Sequence, residues 1–139
     1  MYKELVIEYS KNNQWTKIQK PATTAEIKEA ENTVGYPFPD ELKQLLLELN
    51  GDSYFLLSTD RIKENCLLNR KYLKEVYEDI DLHIFFAENG CGDYYCYNIS
   101  ENGKVNTSAI YIWEHETNET HAVAKDIREL IYKYYNSEI

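Results

Sequence analysis

The stretch that decides the fold runs from Thr23 to Gly51 and reads TTAEIKEAENTVGYPFPDELKQLLLELNG. Thr23 and Glu26 have the spacing of a capping box, in which each side chain accepts a hydrogen bond from the backbone N–H of the other residue. Apolar residues then recur at helical spacing up to Gly35, which can supply the left-handed residue that ends a helix. The stretch therefore begins with a predicted amphipathic helix.

A second helix is predicted after the extended connector Tyr36-Pro37-Phe38, because the residue before a proline avoids the helical region. Pro39 suits the first helical position, and the acids that follow it favour the positive end of the helix dipole. The apolar stripe of this helix consists of Leu42, Leu45, Leu46 and Leu49, and Asn50-Gly51 ends it. We expect the two helices to form a hairpin, tied together by the carboxylate of Glu31.

The periodicity on either side of this hairpin predicts the remaining elements. A helix is expected within residues 2–13, a short buried strand at Tyr54–Leu57, and a helix capped by Thr59 or Asp60 with a possible break near Asn65 and Asn69. Four strands are predicted at Leu82–Ala87, Asp93–Ile99, Ile110–Trp113 and Thr120–Val123, and a last helix from about Lys125. This order predicts an α+β fold: a single domain over residues 1–139, with an antiparallel sheet flanked by helices.

The net charge of −9 is concentrated in residues 75–124. This segment holds ten acidic residues and a single basic one, Lys104, whereas acids and bases balance in the rest of the chain. A field of this sign repels nucleic acid, so direct nucleic-acid binding is disfavoured. The same field attracts basic proteins and speeds their encounter. The charge distribution therefore predicts a basic protein as partner.

Neither a secretory signal nor a membrane segment is predicted. The apolar start, Met1–Tyr9, contains two acids, whereas a signal peptide needs an uninterrupted apolar run after a basic start. No other stretch approaches the roughly 20 apolar residues of a membrane span. We therefore expect a cytoplasmic protein without a membrane partner, long enough at 139 residues to bury one core.

His115 and His121, with Glu114, Glu116 and Glu119 beside them, are residue types that bind metal ions. However, charged residues at strand ends and in turns are ordinarily solvated, and neither a Cys₂His₂ nor a His-Glu-x-x-His spacing occurs. The sequence therefore favours a structural or surface role for these residues, and it predicts no metal and no cofactor.

The cysteines, Cys66, Cys91 and Cys96, are an odd number, so free thiols are expected rather than a disulfide framework. His83 with Cys91 or Cys96, beside Asp93, could form a nucleophile pair, but such a pair is defined by its geometry and no motif supports it. Gly90-Cys91-Gly92 lacks the Lys and Ser/Thr of a phosphate-binding loop and predicts a tight turn. Catalysis is therefore not predicted.

The run Tyr94-Tyr95-Cys96-Tyr97 alternates between the two faces of its predicted strand. Tyr95 and Tyr97 share a face with Asp93, while Tyr94 and Cys96 take the other. Two interpretations stay open: the sheet is covered on both faces, or one face meets a partner, for which tyrosine is a common anchor.

Several motifs resemble the SUKH superfamily, also called the Smi/Knr-like proteins. The family's helical hairpin has a Glu ahead of a Gly, an apolar-Pro pair, a leucine-rich helix and a terminal Asn-Gly; here these are Glu31, Gly35, Phe38-Pro39, Leu42–Leu46 and Asn50-Gly51. Two later segments, Ile84–Tyr94 and Tyr111–Glu116, are similar to the family's Gly-rich turn with its flanking strands and to its penultimate strand. The resemblance covers about Thr24 to the C-terminus and implies a SUKH-like fold.

The resemblance implies a binding function rather than a catalytic one. Members are largely bacterial immunity proteins that bind and neutralise toxins, many of them nucleases, and no enzymatic activity defines the family. We therefore expect a non-catalytic immunity protein that binds a basic toxin domain. The expected partner-binding residues are Asp79, Asp81, Glu88, Asp93, Tyr95, Glu114 and Glu116.

Two alternatives remain open at this point. The first is a regulatory or scaffold module that binds a cellular protein, as the eukaryotic relatives do. The second is a small-molecule binder or enzyme that uses the Cys-, His- and Glu-rich segment. A consistent cellular partner would favour the first, and a deep pocket or a stoichiometric metal would favour the second.

Overall fold

The computed structural model describes residues 1–139, which form five helices and one four-stranded antiparallel sheet with the strand order β1-β2-β3-β4. The elements are α1 (Tyr2–Tyr9), α2 (Thr24–Val34), α3 (Asp40–Glu48), α4 (Thr59–Leu73), β1 (His83–Glu88), β2 (Tyr94–Asn98), β3 (Ile110–Glu114), β4 (Glu119–Ala124) and α5 (Ile127–Tyr135). The predicted α+β class with an antiparallel sheet and flanking helices is confirmed. None of the helices combines the length and apolar character that crossing a membrane requires.

The α2–α3 hairpin forms as the sequence predicts. Thr23 Oγ1 accepts from the N–H of Glu26 at 3.1 Å, Glu26 Oε1 accepts from the N–H of Thr23 at 2.9 Å, and Gly35 ends α2 with a φ of 95°. The buried Glu31 accepts from the N–H of Phe38 at 2.7 Å, so its predicted role in tying the hairpin together is confirmed. One detail differs, since Pro39 is the N-cap of α3 rather than its first helical residue.

The predicted strand at Tyr54–Leu57 is wrong, because the segment makes only an isolated bridge between Leu56 and Ala87. The reason is local. The carboxylate of Asp52 accepts hydrogen bonds from the backbone N–H groups of the three residues that begin at Tyr54, and this holds the chain in a turn. The segment is nevertheless largely buried against the edge of β1.

The structure also corrects the prediction for α4. Its N-cap is Ser58, whose hydroxyl accepts from the N–H of Arg61, rather than Thr59 or Asp60. The helix is unbroken through Asn65 and Asn69, and its buried residues, Thr59, Ile62 and Cys66, belong to the part that precedes Leu67. It ends at Leu73, and the following segment turns back toward the sheet.

Both faces of β1 and β2 are covered, which confirms the first of the two interpretations of the tyrosine-rich strand. On one face, Ile84, Phe86, Tyr95 and Tyr97 belong to the main core that the helices complete. On the other face, Phe85, Cys96 and Trp113 form a smaller core with Ile80, from the segment between α4 and β1. The two strands β1 and β2 therefore serve the core, whereas β4 is more exposed.

Candidate functional site

One end of the sheet carries a group of carboxylates. Antiparallel pairing places the last residues of β1 and β3 beside the first residues of β2 and β4, so Glu88 lies opposite Tyr94 and Glu114 opposite Glu119. Asp93 directly precedes β2, and Glu116 lies in the turn between β3 and β4. We name this group the acidic end and define it as Glu88, Asp93, Glu114, Glu116 and Glu119.

Within the acidic end, Asp93 is the carboxylate that is fixed by hydrogen bonds from two neighbouring residues. Its Oδ1 lies 2.6 Å from His115 Nδ1 and accepts from the His115 N–H at 3.1 Å, while Asn89 Nδ2 donates to Oδ2 at 3.2 Å. Burial acts to raise the pKa of Asp93, but the hydrogen bonds from His115 and Asn89 outweigh it and hold that pKa below its usual value. Asp93 is therefore an ionised carboxylate with a partner already in place.

Gly92 makes room for this contact. It has a φ of 98°, and a Cβ on it would lie 2.9 Å from His115 Cε1 and Nδ1. Gly90, in the same turn, also has a positive φ, but a Cβ there would meet only the hydroxyl of Tyr54 at 3.8 Å. The predicted tight turn is confirmed, and its two glycines have different neighbours.

We expect Gly92→Ala to push the His115 ring away from Asp93 and to raise the pKa of Asp93 toward the unperturbed value of about 3.9. Because the folded-state pKa is depressed, the contribution of Asp93 to stability is present above about pH 4 and is lost as the pH falls through the lowered pKa. The variant loses part of this contribution. A ¹³C NMR titration of the Asp93 carboxyl carbon measures the change.

Gly90→Ala is the matched control for this prediction, because it imposes a similar backbone strain without touching His115. We expect it to leave the pKa of Asp93 low. Identical Asp93 titration curves in Gly92→Ala and in the unsubstituted protein would show that Gly92 does not position the histidine.

Glu114, Glu119 and His121 form a second cluster on neighbouring strands. His121 Nε2 lies 3.1 Å from Glu114 Oε2 and 3.4 Å from Glu119 Oε2, and the three potential ligand atoms lie within 4.8 Å of one another. This set could supply one nitrogen and two oxygen ligands to a divalent metal ion. Glu119 and His121 are exposed and Glu114 is half-buried, and the imidazole is already oriented toward the two carboxylates. His115, which binds Asp93, is not part of this cluster.

Asp79 lies beside the acidic end, in the segment that leads from α4 to β1. Its Oδ1 accepts from Asn118 Nδ2 at 2.9 Å, and the hydroxyl of the nearby Tyr77 donates to the backbone oxygen of His115 at 2.9 Å. Both contacts join this segment to the β3–β4 turn. We name its exposed carboxylates the acidic turn, defined as Glu75, Glu78 and Asp79.

Asp81 is neutralised within the fold, which sets it apart from the other predicted partner-binding acids. Its two oxygens lie 3.3 Å from Arg70 Nε and 2.8 Å from Lys74 Nζ. An aspartate that already faces two bases offers little attraction to a basic partner. Glu88 is neutralised less completely, since it is half-buried and only Arg61 Nη2 lies near its carboxylate, at 3.7 Å.

The expectation that Tyr95 anchors a partner is wrong. Its side chain is 1% exposed and lies in the main core, where its ring meets that of Phe55 edge-on at 5.7 Å between centroids. The alternation along β2 was predicted correctly, but the face it shares with Tyr97 is the one that the helices cover. Tyr95 therefore contributes to folding and not to the surface.

The thiols do not form a nucleophile pair with His83. Nδ1 of His83 lies 2.8 Å from Asn98 Oδ1, and Cys96 Sγ lies 3.5 Å from the same oxygen. Complete burial raises the pKa of the Cys96 thiol well above its usual value, which keeps it protonated and out of reach of a substrate. Cys66 is buried as well, and Cys91 lies exposed in the turn before Asp93.

Most of the chain, residues 21–133, matches the sequence model of the SMI1 / KNR4 family (SUKH-1). The chain belongs to the SUKH-1 family. The matched range includes the α2–α3 hairpin and all four strands, so the resemblance to the SUKH superfamily is confirmed over the part of the fold that presents the acidic end. No curated protein matches the chain.

In this SUKH-1 protein, the motif residues that carried the resemblance hold the fold together. Asn50 Oδ1 accepts from the N–H of Thr59 at 2.8 Å, which links the end of α3 to the start of α4. Gly51 turns the chain with a φ of 90°, and Glu31 closes the hairpin. The hairpin part of the family signature therefore specifies the scaffold.

Sequence reasoning missed one exposed feature of this SUKH-1 protein. Trp15 and Tyr54 are 61% and 46% exposed, and their rings stack with 6.4 Å between centroids. The two residues are far apart in the sequence, and Tyr54 was assigned to a buried strand. The only sequence signal was that Trp15 lies in a polar stretch without helical periodicity, where a tryptophan has no predicted core to enter.

Proposed function

We propose that this chain is a single non-catalytic protein-binding domain over residues 1–139, an immunity-type protein that binds and neutralises a basic toxin domain in the cytoplasm. The observation that carries the proposal is the acidic surface that the acidic end and the acidic turn make together. Asp79 and Asn118 join the two parts. Glu116, in the β3–β4 turn, and Glu119, the first residue of β4, extend into solvent and are 84% and 62% exposed. Membership in the SUKH-1 family supports a protein partner.

The charge distribution suggests how such a partner would be neutralised. A toxin that acts on nucleic acid or phosphate needs cationic side chains at its active site. An acidic protein surface placed over those side chains pairs with them and covers them, so the substrate is excluded both by bulk and by charge. Exposed charges of this kind mainly accelerate encounter and select the partner, and salt weakens them.

The experiment measures affinity for the product of the adjacent gene, if that product carries a toxin domain. We expect the triple variant Glu78→Lys, Glu116→Lys, Glu119→Lys to bind it about 100-fold more weakly, because facing like charges cost several kcal/mol. The acids that it reverses are exposed. Isothermal titration calorimetry at low salt gives the dissociation constants.

The matched control reverses three exposed acids elsewhere, as Glu8→Lys, Glu64→Lys, Glu138→Lys, with the same change in net charge. We expect its affinity to stay within a few-fold of the unsubstituted protein. Equal affinities for the two triple variants would show that the acidic surface is not the interface. Specific binding of a cellular protein, with no toxin domain encoded nearby, would favour the regulatory-module alternative.

A further inference from the structure

Trp15 and Tyr54 form an exposed aromatic pair that the fold holds in place. The interplanar angle of their rings is 20°, and the backbone of each residue is fixed by a nearby side chain. The Trp15 N–H donates to Asn13 Oδ1 at 2.8 Å, and the Tyr54 N–H donates to Asp52 Oδ1 at 3.0 Å. A rigid, exposed tryptophan–tyrosine pair is the kind of surface that dominates binding energy at protein interfaces.

The other tryptophan, Trp113, lies in the core and gives a contrast to Trp15. Trp113 is 1% exposed, and its indole Nε1 donates to Asn118 Oδ1 at 2.7 Å. Trp15 is 61% exposed and its ring stacks on that of Tyr54. The pair therefore leaves a large aromatic area in contact with water, which a partner can bury.

Tyr54 connects the aromatic pair to the acidic end. The Tyr54 hydroxyl lies 3.8 Å from the Cβ position of Gly90, in the turn that connects Glu88 to Asp93. Tyr54 and Glu88 also line the same open groove, of about 670 Å³, together with Arg61. Arg61 NH2 lies 3.7 Å from the Glu88 carboxylate, so a guanidinium already contacts this carboxylate within the groove.

We propose that Trp15, Tyr54 and Glu88 form a subsite that takes an arginine side chain of the basic partner. The arginine stacks on the aromatic pair and displaces Arg61 from Glu88; the Arg61 side chain is half exposed and its contact of 3.7 Å is long, so the exchange costs little. Arginine fits better than lysine because its guanidinium is planar, stacks on aromatic rings and is more weakly hydrated than an ammonium group. This inference rests on the proposed function, since it assumes a basic protein partner.

The test uses two synthetic peptides of equal charge, six Arg-Gly repeats and six Lys-Gly repeats, titrated into the full chain at low salt. The shift of the Trp15 indole N–H signal in NMR spectra reports binding. We expect the arginine peptide to bind about 5- to 10-fold more tightly than the lysine peptide, the range that a partly desolvated cation–π contact provides. In Trp15→Ala and Tyr54→Ala, followed through the backbone amides, we expect the two peptides to bind equally.

Tyr72→Ala is the matched control, since Tyr72 is 66% exposed on α4 and should leave the preference for arginine intact. Equal binding of both peptides to the unsubstituted protein, or no binding of either, would overturn the subsite. If the triple charge reversal still abolishes toxin binding, the proposed function stands without it. A dimer that Trp15→Ala converts to a monomer in sedimentation would assign the pair to a second copy of the chain and overturn the proposal.

Discussion

Replacing Asp52 by alanine is expected to lower the free energy of unfolding by about 4 kcal/mol or more, since each buried donor left without a partner costs about 1–3 kcal/mol. Asp52 is fully buried, and its Oδ1 accepts from the backbone N–H groups of Tyr54, Phe55 and Leu56 at 3.0, 2.7 and 2.8 Å. Its Oδ2 accepts from the hydroxyl of Tyr135 at 2.6 Å. Equilibrium unfolding in urea at pH 7 measures the loss.

Asp52 connects the loop after α3 to α5 through Tyr135. The prediction therefore also tests how much this connection between the loop and the last helix contributes to stability. Asp52→Asn keeps one acceptor oxygen for the N–H groups, and we expect it to cost roughly half as much as alanine. Asp60→Ala is the control, because Asp60 is 77% exposed and meets only Lys63, at 3.6 Å; its cost should stay below about 1 kcal/mol. Equal costs for Asp52→Ala and Asp60→Ala would contradict the role assigned to Asp52.

Gly51→Ala is expected to cost about 3 kcal/mol or more, the sum of the strain of a positive φ and of overpacking. Gly51 has a φ of 90°, and a Cβ on it would lie 2.9 Å from both Leu56 O and Ser58 N. These are backbone atoms, held in the turn that Asp52 organises, so they cannot swing aside as a side chain would. Unfolding in urea again gives the free energy.

Gly103→Ala separates the cost of a positive φ from the cost of overpacking. Gly103 has nearly the same φ, 85°, but nothing lies within 4 Å of its Cβ position. We therefore expect it to cost only about 1–2 kcal/mol, the price of a left-handed backbone alone. If Gly51→Ala proves no more destabilising than Gly103→Ala, the close approach of the backbone at Gly51 has no energetic consequence.

The helical hairpin was predictable because its signals act over a few residues. The capping box joins Thr23 and Glu26, and Gly35 ends α2 by its own backbone conformation. The strand predicted at Tyr54–Leu57 was wrong because a prediction from such local signals does not include the contacts that the Asp52 side chain makes with the backbone. An apolar run predicts a strand, and the sequence does not reveal that the Asp52 side chain folds back onto the N–H groups that a strand would need.

The negative charge of the candidate site could be predicted from the sequence, but only some of its residues could. The acidic segment and its strand ends were apparent from the sequence, and antiparallel pairing brings Glu88, Asp93 and Glu114 to one end of the sheet. The prediction that Tyr95 binds a partner failed because alternation along a strand identifies two faces without showing which of them the helices cover. Trp15 and Tyr54 were not predicted as a pair, because their contact depends on how the loop before α2 returns over the turn after α3.

The sequence by itself determined the limits of the hairpin helices α2 and α3, the positions of the four strands along the chain and the segment that carries the whole net charge. Capping, periodicity and charge count are properties of neighbouring residues. Only the tertiary structure decided which acids are free to meet a partner. Asp81 is paired with Arg70 and Lys74, and Asp93 with His115, while Glu116 extends into solvent. The physical reason is that an ion pair depends on the distance between two side chains in space, and packing brings these pairs together across 7 to 22 residues of sequence.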